Sequence, residues 1–160
     1  MRALVTGSNR GIGAAMLAGL KERGWDAVGT ARSADGFLSL DVTSTSSLEG
    51  LPAQVGDAPI DLLICNSGVY LDKEDTIGAG YTAQTWAKTF AVNVAGVYGT
   101  IETLLPNLKA ASAPKIAIIS SQMGSSERAK GNGLIYRASK AAVSNLGCNL
   151  AVALRDDGIA

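Results

Sequence analysis

Thr6-Gly7-Ser8-Asn9-Arg10-Gly11-Ile12-Gly13 follows the apolar run Ala3-Leu4-Val5 and leads into a pattern that sets Ile12, Ala15, Met16, Gly19 and Leu20 on one helical face. The context is strand, glycine turn, helix. Glycines at such a junction permit a positive-φ turn, a close approach of backbone N–H groups to an anionic group, and tight packing of helix on strand. The helix start adds oriented donors and the positive end of a dipole. An isolated glycine triplet reads as an ordinary turn. With these flanks it reads as a dinucleotide site, with Gly7, Ser8, Asn9, Arg10, Gly11, Ile12 and Gly13 as candidate contacts.

Outward from that loop, strand and helix patterns alternate. Gly24 closes the first helix as a C′ glycine, Trp25 to Thr30 reads as a second strand, and Phe37 to Leu40 as a short third. Thr43 to Val55 reads as one helix, with Ser44, Thr45 or Ser46 as cap and Leu48, Leu51 and Val55 on one face. Asp61 to Cys65 is a near-continuous apolar run, as a parallel strand buried on both faces requires, and Asn66-Ser67-Gly68 follows at its carboxyl end. From Thr82 to Lys109 apolar residues recur at helical spacing, a length of about 40 Å if unbroken. Lys115 to Ser120 is a fifth strand, the loop Gln122 to Gly133 reads as too polar to pack, and a last helix begins near Tyr136. Such alternation specifies an α/β fold, a doubly wound parallel sheet wrapped on both faces, in one domain.

Composition narrows the chemistry. With 160 residues, 47% hydrophobic and 18% charged, the chain has the balance of one globular domain with a sizeable core. The 14 basic and 14 acidic residues are scattered, so no nucleic-acid or membrane surface stands out. No apolar run approaches the roughly 20 residues of a membrane helix and no signal peptide precedes the first strand, which makes the expected location cytoplasmic. No histidine and two cysteines argue against a metal site and against a Ser-His-Asp hydrolase. Cys65 and Cys148 read as small buried residues rather than a disulfide pair. Proton chemistry must fall to Tyr, Lys, Ser or a carboxylate.

Tyr136 and Lys140 stand four apart near a helix start, so they project one above the other on one face. An ammonium beside a phenol stabilises the phenolate by coulombic attraction, which fits the pair for acid/base work. Ser120 and Ser121 end the fifth strand, and either hydroxyl can assist. Asn66 reads equally as a strand-end cap, Asn93 as a bridge between helical segments, and Asp41-Val42 as an ordinary turn.

The Thr-Gly-x-x-x-Gly-x-Gly spacing resembles the short-chain dehydrogenase/reductase family, and further motifs recur in order: Asp41-Val42, Asn66-Ser67-Gly68, Asn93, Ser120-Ser121 and Tyr136-Arg137-Ala138-Ser139-Lys140. Ser121 and Tyr136 lie 15 residues apart, longer than the family's usual interval. With the Ser-Ser-Gln-Met-Gly form, this is similar to the subgroup of C-factor-like and sniffer-like carbonyl reductases. The resemblance implies a Rossmann-like sheet of order 3-2-1-4-5, with the family's sixth and seventh strands lying beyond Ala160. It also implies hydride transfer between NADP(H) or NAD(H) and a small carbonyl or alcohol. Tyr136 is then the general acid/base, Ser121 polarises the substrate oxygen, Lys140 holds the nicotinamide ribose, and Asn93 holds a water that relays protons. Asp41, Val42, Asn66, Ser67 and Gly68 fall among the cofactor contacts, with Asp41 at the adenine.

The second strand ends at Gly29-Thr30-Ala31-Arg32 without the carboxylate that binds a ribose 2′-OH. Arg32 and Arg10 suit a 2′-phosphate instead, so NADP(H) is the expected cofactor, although Asp35 is close in sequence. The rival class is a non-catalytic nucleotide-binding redox sensor or signalling protein on the same fold. Self-association into a homodimer or homotetramer is expected through the 82–109 and 136–155 helices, where Gly96, Gly99, Ala142 and Gly147 read as allowing close subunit contact.

Overall fold

Ala3, Leu4 and Val5 have no exposed surface, and that burial on both sides makes β1 (Arg2–Val5) the middle of the molecule. The computed structural model describes residues 1–160. Parallel β2 (Asp26–Ala31) and β4 (Leu62–Cys65) flank β1, and β3 (Leu38–Ser39) and β5 (Lys115–Ile118) lie outside them, giving the order β3-β2-β1-β4-β5. Successive strand residues point to opposite faces, so each strand feeds two cores. Leu4, Leu63 and Cys65 pack with Val97, Ile101, Leu104, Leu108 and Val143 on one face. Ala3, Val5, Ala27 and Ile64 pack with Leu17 on the other. Helix α1 (Gly11–Glu22) covers the second face, while α5 (Gly96–Thr103), α6 (Leu105–Lys109) and α7 (Leu134–Ala153) line the first. Gly24, at φ 77°, ends α1 as its spacing predicts.

Several expectations from the sequence are corrected. The helix read over Thr43 to Val55 is two short ones, α2 (Thr45–Glu49) and α3 (Leu51–Val55), because Gly50 ends the first and Pro52 can occupy only the opening turn of the second. Ser44 supplies the α2 cap, its side chain accepting from Ser47 N–H. The helix read over Thr82 to Lys109 is not uniform either. It comprises α4 (Ala83–Phe90), a π-helical turn at Ala91–Ala95, then α5, a break at Leu104, and α6 with Pro106 in its first turn. Third, the loop Gln122 to Gly133 packs in part: its first 3₁₀ turn, Gln122–Gly124, rests on α7, while residues 126 to 132, with a second 3₁₀ turn at Ser126–Arg128, stay exposed as expected. A Cβ on Gly124 would lie 2.8 Å from Ala141 N, so this loop rests directly on the α7 backbone.

Three of the small residues expected to allow close packing have their neighbours within the chain. A Cβ at Gly96 would lie 2.7 Å from Val42 Cγ2 and 2.9 Å from the Val42 carbonyl oxygen, and one at Gly99 would lie 2.9 Å from Leu48 Cδ1. Gly147 faces Ile118 in the same way, at 3.4 Å. Within the chain, Gly96 thus packs against the residue that follows the β3 edge, Gly99 against α2 and Gly147 against β5. Cys65 is buried as expected, and burial pushes its thiol up to about 12. Cys148 is exposed on α7, contrary to the expectation. No helix is long and apolar enough to cross a membrane. At the outer edge of β5, Ile116 N–H donates to Ala160 O at 2.8 Å and Ala160 N–H to Pro114 O at 3.1 Å. Beside them a groove of about 210 Å³ is lined by Ile116, Ile118, Leu150, Leu154 and Ile159.

The Gly96 contact includes backbone, which cannot rotate away. Gly96→Ala is expected to lower stability by about 1–3 kcal/mol, read as a lower urea midpoint at constant slope. Gly99→Ala, meeting only the tip of a leucine, is expected to cost less. An unchanged midpoint for Gly96→Ala contradicts this packing.

Candidate active site

The sites begin where β1 and β4 release the chain at the same sheet edge. Thr6 Oγ1 accepts from the backbone N–H groups of Asn66 and Ser67, both at 3.0 Å. In return Asn66 Nδ2 donates to the carbonyls of Thr6 and Gly7, also at 3.0 Å. The glycine loop and the Asn66-Ser67-Gly68 turn are thereby one unit. Gly7 adopts φ 62°, and a Cβ there would lie 2.8 Å from Ser67 Oγ. Gly13 is buried against Asn66 and the Gly7 carbonyl, so it is the packing glycine of the loop. Ser8 faces inward: its hydroxyl donates to Val5 O and its N–H to Thr30 O, so this candidate contact instead braces the loop.

Asn9, Arg10, Gly11 and Ile12 are exposed, and no group in the chain accepts a hydrogen bond from the N–H groups of residues 9 to 13. Arg10 is the N-cap of α1 but provides no side-chain cap. Gly11 has φ 57° and open space where a Cβ would stand. Free donors at an uncapped start of a 12-residue helix fit a phosphate group.

A second cluster forms where β5 meets α7. Lys140 is 5% exposed, and its Nζ donates to Ile119 O at 2.7 Å and stands 5.7 Å from the Tyr136 ring centre. Burial disfavours the ammonium and lowers the Lys140 pKa. Ser120 is spent on α7, donating to Lys140 O at 3.0 Å and sharing a 2.7 Å bond with Ser144 Oγ. Ser121 Oγ accepts only from Met123 N–H, at 3.1 Å, and so has its proton free to donate. Of the two serines, Ser121 alone is available for chemistry.

Asn93 occupies the π-helical turn and is 1% exposed. Its Oδ1 accepts from Val69 N–H at 2.8 Å, and its Nδ2 donates to Val69 O at 2.9 Å and Ser139 Oγ at 3.0 Å. With both amide hydrogens used, the side chain holds the Gly68-Val69 turn beside Lys140, and any water relay falls to the Asn93 backbone. A Cβ at Gly68 would lie 3.4 Å from Asn93 Oδ1 and 3.6 Å from Lys140 Nζ, so turn, amide and ammonium meet there.

The remaining candidates lie at the β2 side. Arg32, like Arg10, is exposed. The Thr43 hydroxyl and N–H, at 2.7 and 2.9 Å, hold the Asp41 carboxyl below its usual range, with smaller pulls from Arg32 and Lys88. That carboxylate closes a local turn. Val42 packs its side chain in the core against Gly96, so ligand contact there falls to its backbone.

Four residues of this region carried no role in the sequence reading. Ser139 relays the Asn93 contact to Tyr136 O at 2.8 Å. Asp72 is fully buried and accepts from the N–H groups of Ile135, at 2.7 Å, and Tyr136. Tyr70 stacks on Tyr136. Arg137 gathers the carbonyls of Met123, Arg128 and Asn132 and so folds the loop between Ser121 and Tyr136. Neither the Asp72 bonds, made to residues 63 and 64 positions away, nor a stack between residues 66 positions apart had a signal in the sequence.

A family model described as short chain dehydrogenase matches residues 1–160. A "Probable NADP-dependent dehydrogenase" of Haemophilus influenzae is 31% identical over 165 residues, covering 92% of this chain and 63% of its own length. The chain thus spans less than two thirds of that relative. Among solved structures, Sniffer of Caenorhabditis elegans is 30% identical with a TM-score of 0.88, covering 99% of this chain and 80% of its own. The NADPH-bound carbonyl reductase from chicken fatty liver is 26% identical with a TM-score of 0.88, at 99% and 75% coverage.

The buried ammonium sets a pH dependence. Lys140 has its pKa lowered in the folded chain, so the unfolded chain binds that proton more tightly. Stability should therefore rise with pH once folded Lys140 loses its proton and level off near the unfolded value of about 10.4. Urea midpoints of the protein and of Lys140→Met, compared from neutral pH upward, test this. The difference should move in favour of the lysine form with rising pH, and a constant difference contradicts it.

Proposed function

The chain belongs to the short-chain dehydrogenase family, and on that premise we propose that it is an NADP(H)-dependent oxidoreductase that reduces a small carbonyl or oxidises the matching alcohol. The observation that carries the reading is convergence at one sheet edge. The free N–H groups of the glycine loop, the Lys140 ammonium, the Ser121 hydroxyl and the Tyr136 phenol all follow the carboxyl ends of β1, β4 and β5 or the helix packed beside them. Residues 9 to 13 hold the diphosphate, and Lys140, with one acceptor for three donors, has capacity left for the ribose hydroxyls. Bound NADPH supplies the hydride to the carbonyl carbon. Ser121 Oγ donates a hydrogen bond to the carbonyl oxygen, and the Tyr136 hydroxyl gives that oxygen its proton. The Lys140 ammonium stabilises the phenolate left behind. Arg10 and Arg32 hold the 2′-phosphate. The names of the Haemophilus and chicken proteins, with NADP and NADPH in them, support that preference.

This reading includes a homodimer or homotetramer through the 82–109 stretch, which holds α4, α5 and α6, and the 136–155 stretch of α7, where Trp86, Tyr98 and Val152 are exposed. It also expects further strands along the outer edge of β5, which Ala160 alone pairs.

Tyr136→Phe is expected to lower kcat for NADPH-dependent reduction of 4-nitrobenzaldehyde by at least about 100-fold. The NADPH dissociation constant should hold within about twofold, since the ring is kept. Binding without turnover in the unsubstituted protein, across a panel of aldehydes and ketones, favours the sensor class instead. For the cofactor, titration should show NADPH bound more tightly than NADH. Arg32→Ala should cost about tenfold in NADPH affinity and little in NADH affinity, as expected for one charge-assisted contact. Equal losses for both cofactors contradict a 2′-phosphate contact.

A further inference from the structure

The Tyr136 hydroxyl has no hydrogen-bond partner in the chain, so nothing polar fixes the plane of its ring. The torsion that turns a phenol about its Cβ–Cγ bond is broad and weakly restrained. The group that does restrain it is Tyr70, whose ring stacks on Tyr136 with centroids 4.4 Å apart and planes 21° apart. Tyr70 is itself held on both sides. Asn93 grips Val69 through both of its backbone groups, and Asp72, fully buried, accepts from Ile135 N–H at 2.7 Å and Tyr136 N–H at 3.2 Å. Space for the ring is reserved by Gly133, the residue before α7, because a Cβ there would lie 2.6 Å from Tyr70 Oη.

We propose that Tyr70 is a positioning residue for Tyr136: its stacked ring sets the plane of the phenol and so the direction in which the proton is delivered. The inference rests on Tyr136 being the general acid/base. The ring is what matters, because the Tyr70 hydroxyl also lacks a partner. Burial, and then the Asp72 carboxylate, raise the Tyr70 pKa, which keeps it a neutral partner. Tyr70 touches the first turn of α7, whereas the glycine loop lies at the other end of the site, so NADPH affinity should not depend on it.

The test compares Tyr70→Phe and Tyr70→Leu in the purified protein, with Tyr70→Met in place of leucine should that variant not fold. Turnover is measured with NADPH and 4-nitrobenzaldehyde, NADPH affinity by fluorescence titration, and the Tyr136 ring protons by NMR, assigned through Tyr136→Phe. Tyr70→Phe should keep kcat within about twofold, and Tyr70→Leu should lower kcat about tenfold with NADPH affinity unchanged, the size of a modest misorientation. The ring-current shift of the Tyr136 signals should persist in Tyr70→Phe and disappear in Tyr70→Leu. Undiminished kcat in Tyr70→Leu, equal losses in both variants, or Tyr136 signals that ignore the leucine each overturn the proposal. Turnover surviving in Tyr136→Phe sinks the acid/base reading instead, and the ring-current result still decides the stack.

Discussion

One buried amide joins the parts of this site. The Asn93 side chain fixes Val69 in the turn after β4 and Ser139 in α7 while belonging itself to the α4–α5 stretch. Ser139 passes the connection to the Tyr136 carbonyl. Leaving such groups buried and unpaired costs about 1–3 kcal/mol each, so the three elements hold one relative position or lose all these bonds together. The π-helical turn at Ala91–Ala95 gives Asn93 its orientation, because one widened turn rotates the side chains beyond it relative to a regular helix. A helix continuous from Thr82 would have placed its residues differently against α7.

The same logic operates between β1 and β4. Parallel neighbours release their chains on one edge, and that geometry brings the glycine loop and the Asn66 turn together. Thr6 and Asn66 then bond them reciprocally, satisfying two backbone N–H groups and two carbonyls that would otherwise be lost beneath any ligand. Ser8 and the Gly13 Cα are taken up by the support of the loop, while the amides of residues 9 to 13 have no acceptor within the chain. Division of labour within eight residues is what leaves a glycine-rich turn with unused donors at the sheet edge.

What could be read in advance was whatever rests on local pattern. Apolar runs without charges located β1 and β4, the glycine spacing located the loop, and Tyr136 with Lys140 followed from their separation on one helix. The breaks were harder. Pro52 and Pro106 were visible, but the apolar spacing through Leu51 and Leu108 continues across them, and periodicity outweighed the local signal. Contacts between distant segments were illegible: Gly96 looked like a subunit-facing residue because nothing in the chain announces Val42 as its neighbour. Only the family resemblance favoured Ser121 over Ser120, since the difference between them is that Ser120 meets Ser144 and Lys140 O across the fold. Cys148 sits in an apolar pattern, yet α7 turns it to the surface.

Lys140 shows what this arrangement costs. An ammonium has three donors, and here a single carbonyl, Ile119 O, meets them in a setting that is 5% exposed. A chain selected for stability alone would place an apolar residue there, since a buried charge without full compensation is unfavourable and its lowered pKa records that penalty. The same shortage of partners is what the proposed chemistry would require. Donors already satisfied within the protein would have nothing left for a ribose, and an ammonium immersed in water would act only weakly on a neighbouring phenol. Ile119, Ser120 and Ser121 are consecutive, so the bonds that hold the lysine, anchor the strand end to α7 and leave one hydroxyl free arise from one three-residue segment. The buried ammonium is therefore held by the strand end that also presents Ser121. The rigidity of that segment, supplied by β4 on one side and α7 on the other, keeps the unfavourable charge in place.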